Sequence, residues 1–208
     1  MRRFLVVFSG LVVLGVAGLY VINNSSSRPE AVVSEATLPE AAENPRLEIT
    51  VAGEANGTIV IDLFADVAPQ HVARIIALAN EGAYDNVVFH RVIDGFMAQT
   101  GDVQFGKSGG EVARAGQGGS ELPDLEAEFS DLSFDRGVVG MARSNNLNSA
   151  NSQFFIMFAP APNLNGQYTI VGEVVSGLDI LDAIKRGLGP NGAMIGAPDV
   201  MQSVTVAR

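Results

Sequence analysis

The chain has 208 residues, a formal net charge of −10 and no cysteine. That length suffices for one well-buried core with an appendage, and the acidity argues against non-specific nucleic-acid binding, which draws on neutralised phosphates. Without a thiol there is no disulfide, no cysteine nucleophile and no lipid attachment through cysteine; the absence is compatible with an oxidising compartment.

Arg2 and Arg3 precede an uncharged run from Phe4 to Ile22. At the helical rise this run covers roughly 28 Å, close to the thickness of a bilayer core, so residues 1–22 are expected to form a hydrophobic helix addressed to a membrane. The two arginines keep the N-terminal side in the cytoplasm and send the rest across. Two outcomes stay open: an uncleaved anchor touching lipid through residues 4–22, or a signal peptide cut near Gly15 and Ala17. Residues 23–46 turn to Asn, Ser, Pro, Ala and Glu without apolar periodicity. They read as a flexible linker with an end-to-end distance of roughly 27 Å.

The folded part is placed at 47–208. Leu47, Ile49 and Val51 alternate with polar residues, as do Ile59, Ile61 and Leu63 after Asn56-Gly57, which predicts a hairpin. Val72, Ile75, Ile76 and Ala79 have helical spacing, with Pro69 suited to the first turn and Gly82 to the end. Apolar runs at 87–93, 96–99, 137–142, 153–158 and 168–175 read as strands, Leu178–Arg186 as a second helix stopped by Gly187, and Ser203–Ala207 as the last strand. Gly101–Gly119 holds seven glycines and reads as a mobile loop. Glu121–Asp135 carries six acids and no Lys or Arg; it reads as a solvated loop, or alternatively as a partner-binding or steering surface. Many short strands with two helices indicate a mainly β, antiparallel barrel or sandwich.

Two stretches carry the chemistry: Phe89-His90-Arg91-Val92-Ile93-Asp94-Gly95-Phe96-Met97-Ala98-Gln99-Thr100-Gly101-Asp102 and Ser152-Gln153-Phe154-Phe155-Ile156. They offer a cation, two amides and large apolar side chains, with no nucleophile or metal cluster. Such a set suits a reaction that breaks no covalent bond, and rotation about the bond preceding a proline is one. Its barrier is about 18–20 kcal/mol because resonance makes C–N partly double, although at X-Pro the isomers differ by only about 0.5–1 kcal/mol. In the twisted state the proline nitrogen regains its lone pair, so a donor aimed there stabilises the transition state above either ground state. A guanidinium that stays protonated suits this task, and Arg91 is the candidate. Alternation puts Arg91 on the face of Phe89 and Ile93, opposite His90 and Val92, and sends Gln153 and Phe155 to one side and Phe154 and Ile156 to the other. From periodicity alone Phe96, Met97, Phe154, Phe155 and Ile156 read as core, and Arg91 as a surface ion pair. Of the two histidines, neither in a metal or triad spacing, His71 reads as solvated on the first helix.

Both stretches closely resemble the active-site strands of the cyclophilin family of peptidyl-prolyl cis-trans isomerases, and the resemblance extends over roughly residues 47–208. It implies an eight-stranded antiparallel closed barrel capped by two α-helices, and isomerisation of proline-containing segments in folding proteins without cofactor or metal. It assigns catalysis to Arg91, the proline pocket to Phe96, Met97, Phe155 and Leu164, and backbone clamps to Gln99 and Gln153. Ala142 and Arg143 match the segment beside the residue preceding proline, Gly116 a glycine-rich wall, and His90 a histidine that orders its neighbours. Three positions depart from the pattern. Tyr168 replaces a histidine in the site wall, Thr100 replaces a common glycine, and Asn163 stands where many relatives carry an aromatic residue that contacts cyclosporin, so weak cyclosporin binding is expected. The loop Ser144–Ser152 has the length found in bacterial cyclophilins. With the N-terminal run, it implies a monomeric bacterial enzyme exported to the periplasm, on an inner-membrane tether or soluble after cleavage. A Pro-segment-binding chaperone with little turnover is the rival reading, and a structural barrel on a membrane scaffold a third.

Overall fold

The structure, a computed structural model, describes residues 44–207. The expected hydrophobic helix at 1–22, and the linker as far as residue 43, lie outside the described residues. Among the described residues no helix is long and apolar enough to cross a membrane.

The expected hairpin is strands β1 (Arg46–Ala52) and β2 (Gly57–Leu63), with Leu47 opposite Ile61 and Ile49 opposite Ile59. Their alternating apolar residues are all buried, so the period-two pattern faces the core as read. Helix α1 (Pro69–Asn80) opens on proline and buries Val72, Ile75, Leu78 and Ala79. Gly82, with φ +67°, ends it: the Gly82 N–H returns to the Ala79 carbonyl and the Ala83 N–H to Leu78. The remaining elements are β3 (Val87–Val88), β4 (Arg91–Ile93), β5 (Met97–Thr100), β6 (Val138–Met141), β7 (Phe154–Met157), β8 (Ile170–Ser176), α2 (Leu178–Ala183) and β9 (Val200–Ala207). All strands belong to one antiparallel sheet ordered β3-β9-β1-β2-β8-β6-β7-β5-β4.

The fold is therefore mainly β, a curled antiparallel sheet with two helices. It departs from the expected closed barrel of eight strands: nine strands form, and no ladder joins the end strands β3 and β4 among the described residues. Those ends are linked covalently through Phe89 and His90. The expected single strand at 87–93 breaks there because its first half pairs with β9 and its second with β5, and the Phe89 N–H goes to the Asp199 carbonyl at 2.9 Å. The break also resets the alternation. Phe89 is fully buried in the main core with Val92, not on the face of Arg91 as expected, whereas Ile93 packs with the cluster under Arg91's face.

Three further expectations change. Helix α2 stops at Ala183, short of Arg186, because Ile184 is buried, the Lys185 N–H is taken by the Asp199 carboxylate at 2.7 Å and the Gly187 N–H by the Val92 carbonyl. The glycine-rich loop is folded around buried Asp102, whose carboxylate accepts the N–H groups of Gln104, Phe105, Gly116 and Gly118 at 2.7–3.0 Å. His71 is not solvated: it is fully buried, and its Nδ1 lies 2.6 Å from the Glu128 carboxylate. That carboxylate also accepts the N–H groups of Gln70 and His71, capping α1, whose own N-cap residue Ala68 supplies no side chain. The acidic stretch thus exposes its other acids but is anchored at Glu128, and at Asp124, which accepts from Asn151 Nδ2 at 3.0 Å.

Candidate active site

Cross-strand register builds the site. Arg91 lies opposite Gln99, Ile93 opposite Met97, and Gln99 opposite Phe155. Residues directly opposite share a sheet face, so three strands present Arg91, Gln99 and Phe155 side by side. Ala98, Phe154 and Ile156 point the other way into the main core, while Met97 and Phe155 join a second cluster with Phe134, Met157 and Leu164. Phe96 and Met97 defeat strict alternation through the Asp94-Gly95 turn. Gly95 has φ +66°, the Phe96 N–H bonds to the Ile93 carbonyl, and Phe96 enters the ladder from outside it.

A cavity of about 170 Å³ results, lined by Arg91, Phe96, Met97, Gln99, Ala142, Arg143, Phe155, Leu164 and Tyr168. Its floor is aromatic. Phe155 stacks on Phe134 at 5.7 Å, and Tyr168 meets Phe155 edge-on at 5.7 Å. Arg143 lies over the Tyr168 ring at 4.3 Å and donates to the Gln167 and Ser144 carbonyls, which fixes that wall. A neighbouring cavity of about 430 Å³ shares Gln99, Ala142 and Arg143 and is bounded by Gly116, Gly118, Asn151 and Gln153. Gln153 and Gly116 therefore border the second cavity. Asn163 is exposed, in the short 3-10 turn Pro162–Leu164, and does not line the 170 Å³ cavity.

The polar groups form a chain. Arg91 Nη1 donates to Gln99 Oε1 at 3.1 Å, Gln99 Nε2 to Gln153 Oε1 at 3.0 Å, and Gln153 Nε2 to the Gly118 carbonyl at 2.7 Å. Arg91 Nε and Nη2 donate to the carbonyl and Oδ1 of Asn191, both at 3.0 Å. All these acceptors are neutral, so the guanidinium keeps its charge for the cavity. Burial lowers its pKa from the ordinary value and Tyr168 opposes this; a guanidinium nonetheless stays protonated at any pH a protein tolerates.

His90 lines neither cavity. Its ring nitrogens are buried, facing the Val88 backbone and the Gln153 side chain, and a Cβ on Gly116 would stand 3.2 Å from the ring. Burial, opposed by the Asp102 carboxylate, pulls its pKa down to about 4, so near neutral pH it is an uncharged spacer behind the glycine wall. Thr100, fully buried, donates its hydroxyl to the Val88 carbonyl at 2.9 Å, tying β5 to β3 where the sheet ends meet.

Sequence reasoning missed Asn191, Phe134 and Asp102. Pro190-Asn191-Gly192 is a turn signal, but nothing local connects it to an arginine 100 residues earlier. Phe134 is one of two phenylalanines in an acidic stretch without apolar periodicity, and Asp102 closes the motif without declaring its four partners.

Comparison with known proteins agrees with this geometry. Residues 46–206 match the family described as cyclophilin type peptidyl-prolyl cis-trans isomerase/CLD. A probable peptidyl-prolyl cis-trans isomerase of Brucella suis is 57% identical over 153 residues, 73% of this chain and 78% of that protein. A peptidyl-prolyl cis-trans isomerase of Arabidopsis thaliana is 37% identical over 62% of this chain and 78% of its own. Among solved structures, a Cryptosporidium parvum cyclophilin type isomerase, crystallised in the presence of the dipeptide Ala-Pro, matches with a TM-score of 0.65 and 26% identity, covering 78% of this chain and 99% of that one. A cyclophilin from Hirschia baltica gives a TM-score of 0.61 at 25% identity, covering 77% of this chain and 73% of that one. The resemblance read from the two motifs thus holds over the whole described fold, and the chain belongs to the cyclophilin-type peptidyl-prolyl cis-trans isomerase family and is an enzyme of that class.

Proposed function

We propose that the domain isomerises X-Pro bonds in folding proteins by non-covalent stabilisation of the twisted amide, with Arg91 as the catalytic residue. The observation that carries this reading is the neutral setting of Arg91. Its three hydrogen bonds go to Asn191 and Gln99, and of the five guanidinium N–H donors two are left over for a substrate. In the twisted state the proline nitrogen holds a localised lone pair that accepts from such a donor, whereas in either planar isomer that pair is delocalised. The pyrrolidine ring packs on Phe155 between Phe96, Met97 and Leu164, and the amides of Gln99 and Gln153 hold the substrate backbone. Gly116 and His90 shape the wall beyond them, and Ala142 and Arg143 flank the residue preceding proline. The relative crystallised with Ala-Pro supports proline-containing segments as the substrate class.

The test is a protease-coupled assay on an Ala-Pro peptide with wild type and Arg91→Ala. Loss of one preorganised donor predicts a fall of about a hundredfold or more in kcat/KM. Equal rates would eliminate the mechanism, and no acceleration over the uncatalysed exchange by wild type would favour a binding module.

We further propose that the enzyme serves exported proteins, as a monomer in the bacterial periplasm, held at the inner membrane through residues 4–22 or released by cleavage near Ala17. The apolar run after Arg2 and Arg3 supports the address, and the linker composition supports a domain working clear of the lipid.

A further inference from the structure

Arg91 has a long side chain, and a guanidinium can stabilise a twisted amide only if its donors are already in place when the substrate binds. Much of its fixing comes from one residue far along the chain. Asn191 accepts from Nε through its carbonyl and from Nη2 through Oδ1, both at 3.0 Å, which leaves Gln99 to hold Nη1 alone. Asn191 sits in the left-handed region at φ 55° and ψ 31°, between Pro190 and Gly192. Asparagine tolerates that region better than most residues with a side chain, and glycine would supply no Oδ1. One residue type thus meets the backbone requirement and the hydrogen-bond requirement together.

The surrounding loop is seated on β4 on both sides of Arg91. The Gly187 N–H donates to the Val92 carbonyl at 2.9 Å, the Met194 N–H donates to the His90 carbonyl at 3.3 Å, and Ala193 bridges to Arg91 itself. Any Cβ on Gly192 would collide with Ile93 and Val92, so the loop can approach this closely only with glycine there. Neutrality matters as much as position. A carboxylate at 191 would hold the guanidinium equally well but would offset the charge offered to the substrate.

We infer that Asn191 is a positioning residue for catalysis, which orients Arg91 and preserves its charge through two neutral acceptors. The inference rests on the catalytic role proposed for Arg91.

The test compares kcat and KM of the full-length protein for wild type, Asn191→Gly, Asn191→Asp, Arg91→Ala and the Arg91→Ala/Asn191→Gly double variant, by NMR exchange on an Ala-Pro peptide. Asn191→Gly keeps the backbone carbonyl and suits the left-handed conformation, so its thermal midpoint should match wild type. Its kcat should fall about tenfold, the scale of one hydrogen bond to a charged group, with KM within about twofold. In the Arg91→Ala background the same change should cost nothing further. Asn191→Asp should also lose kcat with KM unchanged, because its carboxylate pairs with the guanidinium. Wild-type kcat in Asn191→Gly or in Asn191→Asp, or an equal fold-loss with and without Arg91, overturns the inference. Wild-type turnover by Arg91→Ala is a different failure, that of the catalytic role itself.

Discussion

His90 shows how much a single buried group can weigh. In the unfolded chain a histidine titrates near 6.5, and in the fold His90 is pulled down to about 4. Between those values the unfolded chain binds a proton that the folded one refuses, so stability is full above about 6.5 and is lost as the pH falls towards 4. The difference corresponds to about 3 kcal/mol at most. Replacing His90 by Gln removes the titration, and its melting midpoint should fall less between pH 7 and pH 4.5 than that of wild type. Identical slopes would mean that His90 is not held neutral. Some slope remains in the variant from Glu128: burial raises its pKa, but the hydrogen bonds from His71 and Gln70 prevail and lower it, so its contribution also fades in acid. Because His90 is uncharged near neutral pH and lines neither cavity, turnover should be flat across that range.

Glu128 is the clearest case at the scale of elements. A carboxylate from a loop 57 residues away caps α1 and holds buried His71, a contact that joins the acidic stretch to the helix packed on the sheet. Glu128→Ala leaves His71 Nδ1 and two helix N–H groups without their acceptor, and a loss of about 2 kcal/mol is expected in denaturant unfolding. Unchanged stability would show that Glu128 contributes nothing measurable as a cap or as a partner of His71. The same case marks what the sequence could reveal. The hairpin β1–β2, helix α1 and the facing of Gln153, Phe154 and Phe155 were legible because period and turn chemistry are local signals. The break at Phe89-His90, the early end of α2 and the cap on α1 were not, since each is imposed by a distant partner: Asp199, Val92 or Glu128. The site divided in the same way. Motif residues announced much of the cavity lining, whereas Asn191 and Phe134 act across 100 and 21 residues and bear no local mark of it, and Asp102 adds to its local bonds to Gln104 and Phe105 the distant N–H groups of Gly116 and Gly118.

For the whole molecule, the curled sheet makes two interiors from one set of strands: a main core filled by Ala98, Phe154 and Ile156, and a second cluster that floors the cavity with Met97 and Phe155. The strand residues of the site, Arg91, Met97, Gln99 and Phe155, are thus backed by packed strands, which suits a reaction that depends on fixed donors. The proposed tether belongs to this scale too. Mass spectrometry should find an intact N-terminus on protein from the membrane fraction, or one beginning just after Ala17 on protein from the periplasmic fraction; a full-length protein confined to the cytosolic fraction would contradict export. The central claim, however, is that Arg91 acts on the transition state and not on binding. Two-dimensional exchange NMR on an Ala-Pro peptide at saturating concentration tests it most directly. Arg91→Ala should slow enzyme-bound cis–trans exchange about a hundredfold while changing peptide affinity by no more than a few-fold, and a variant that exchanges as fast as wild type once saturated would contradict it.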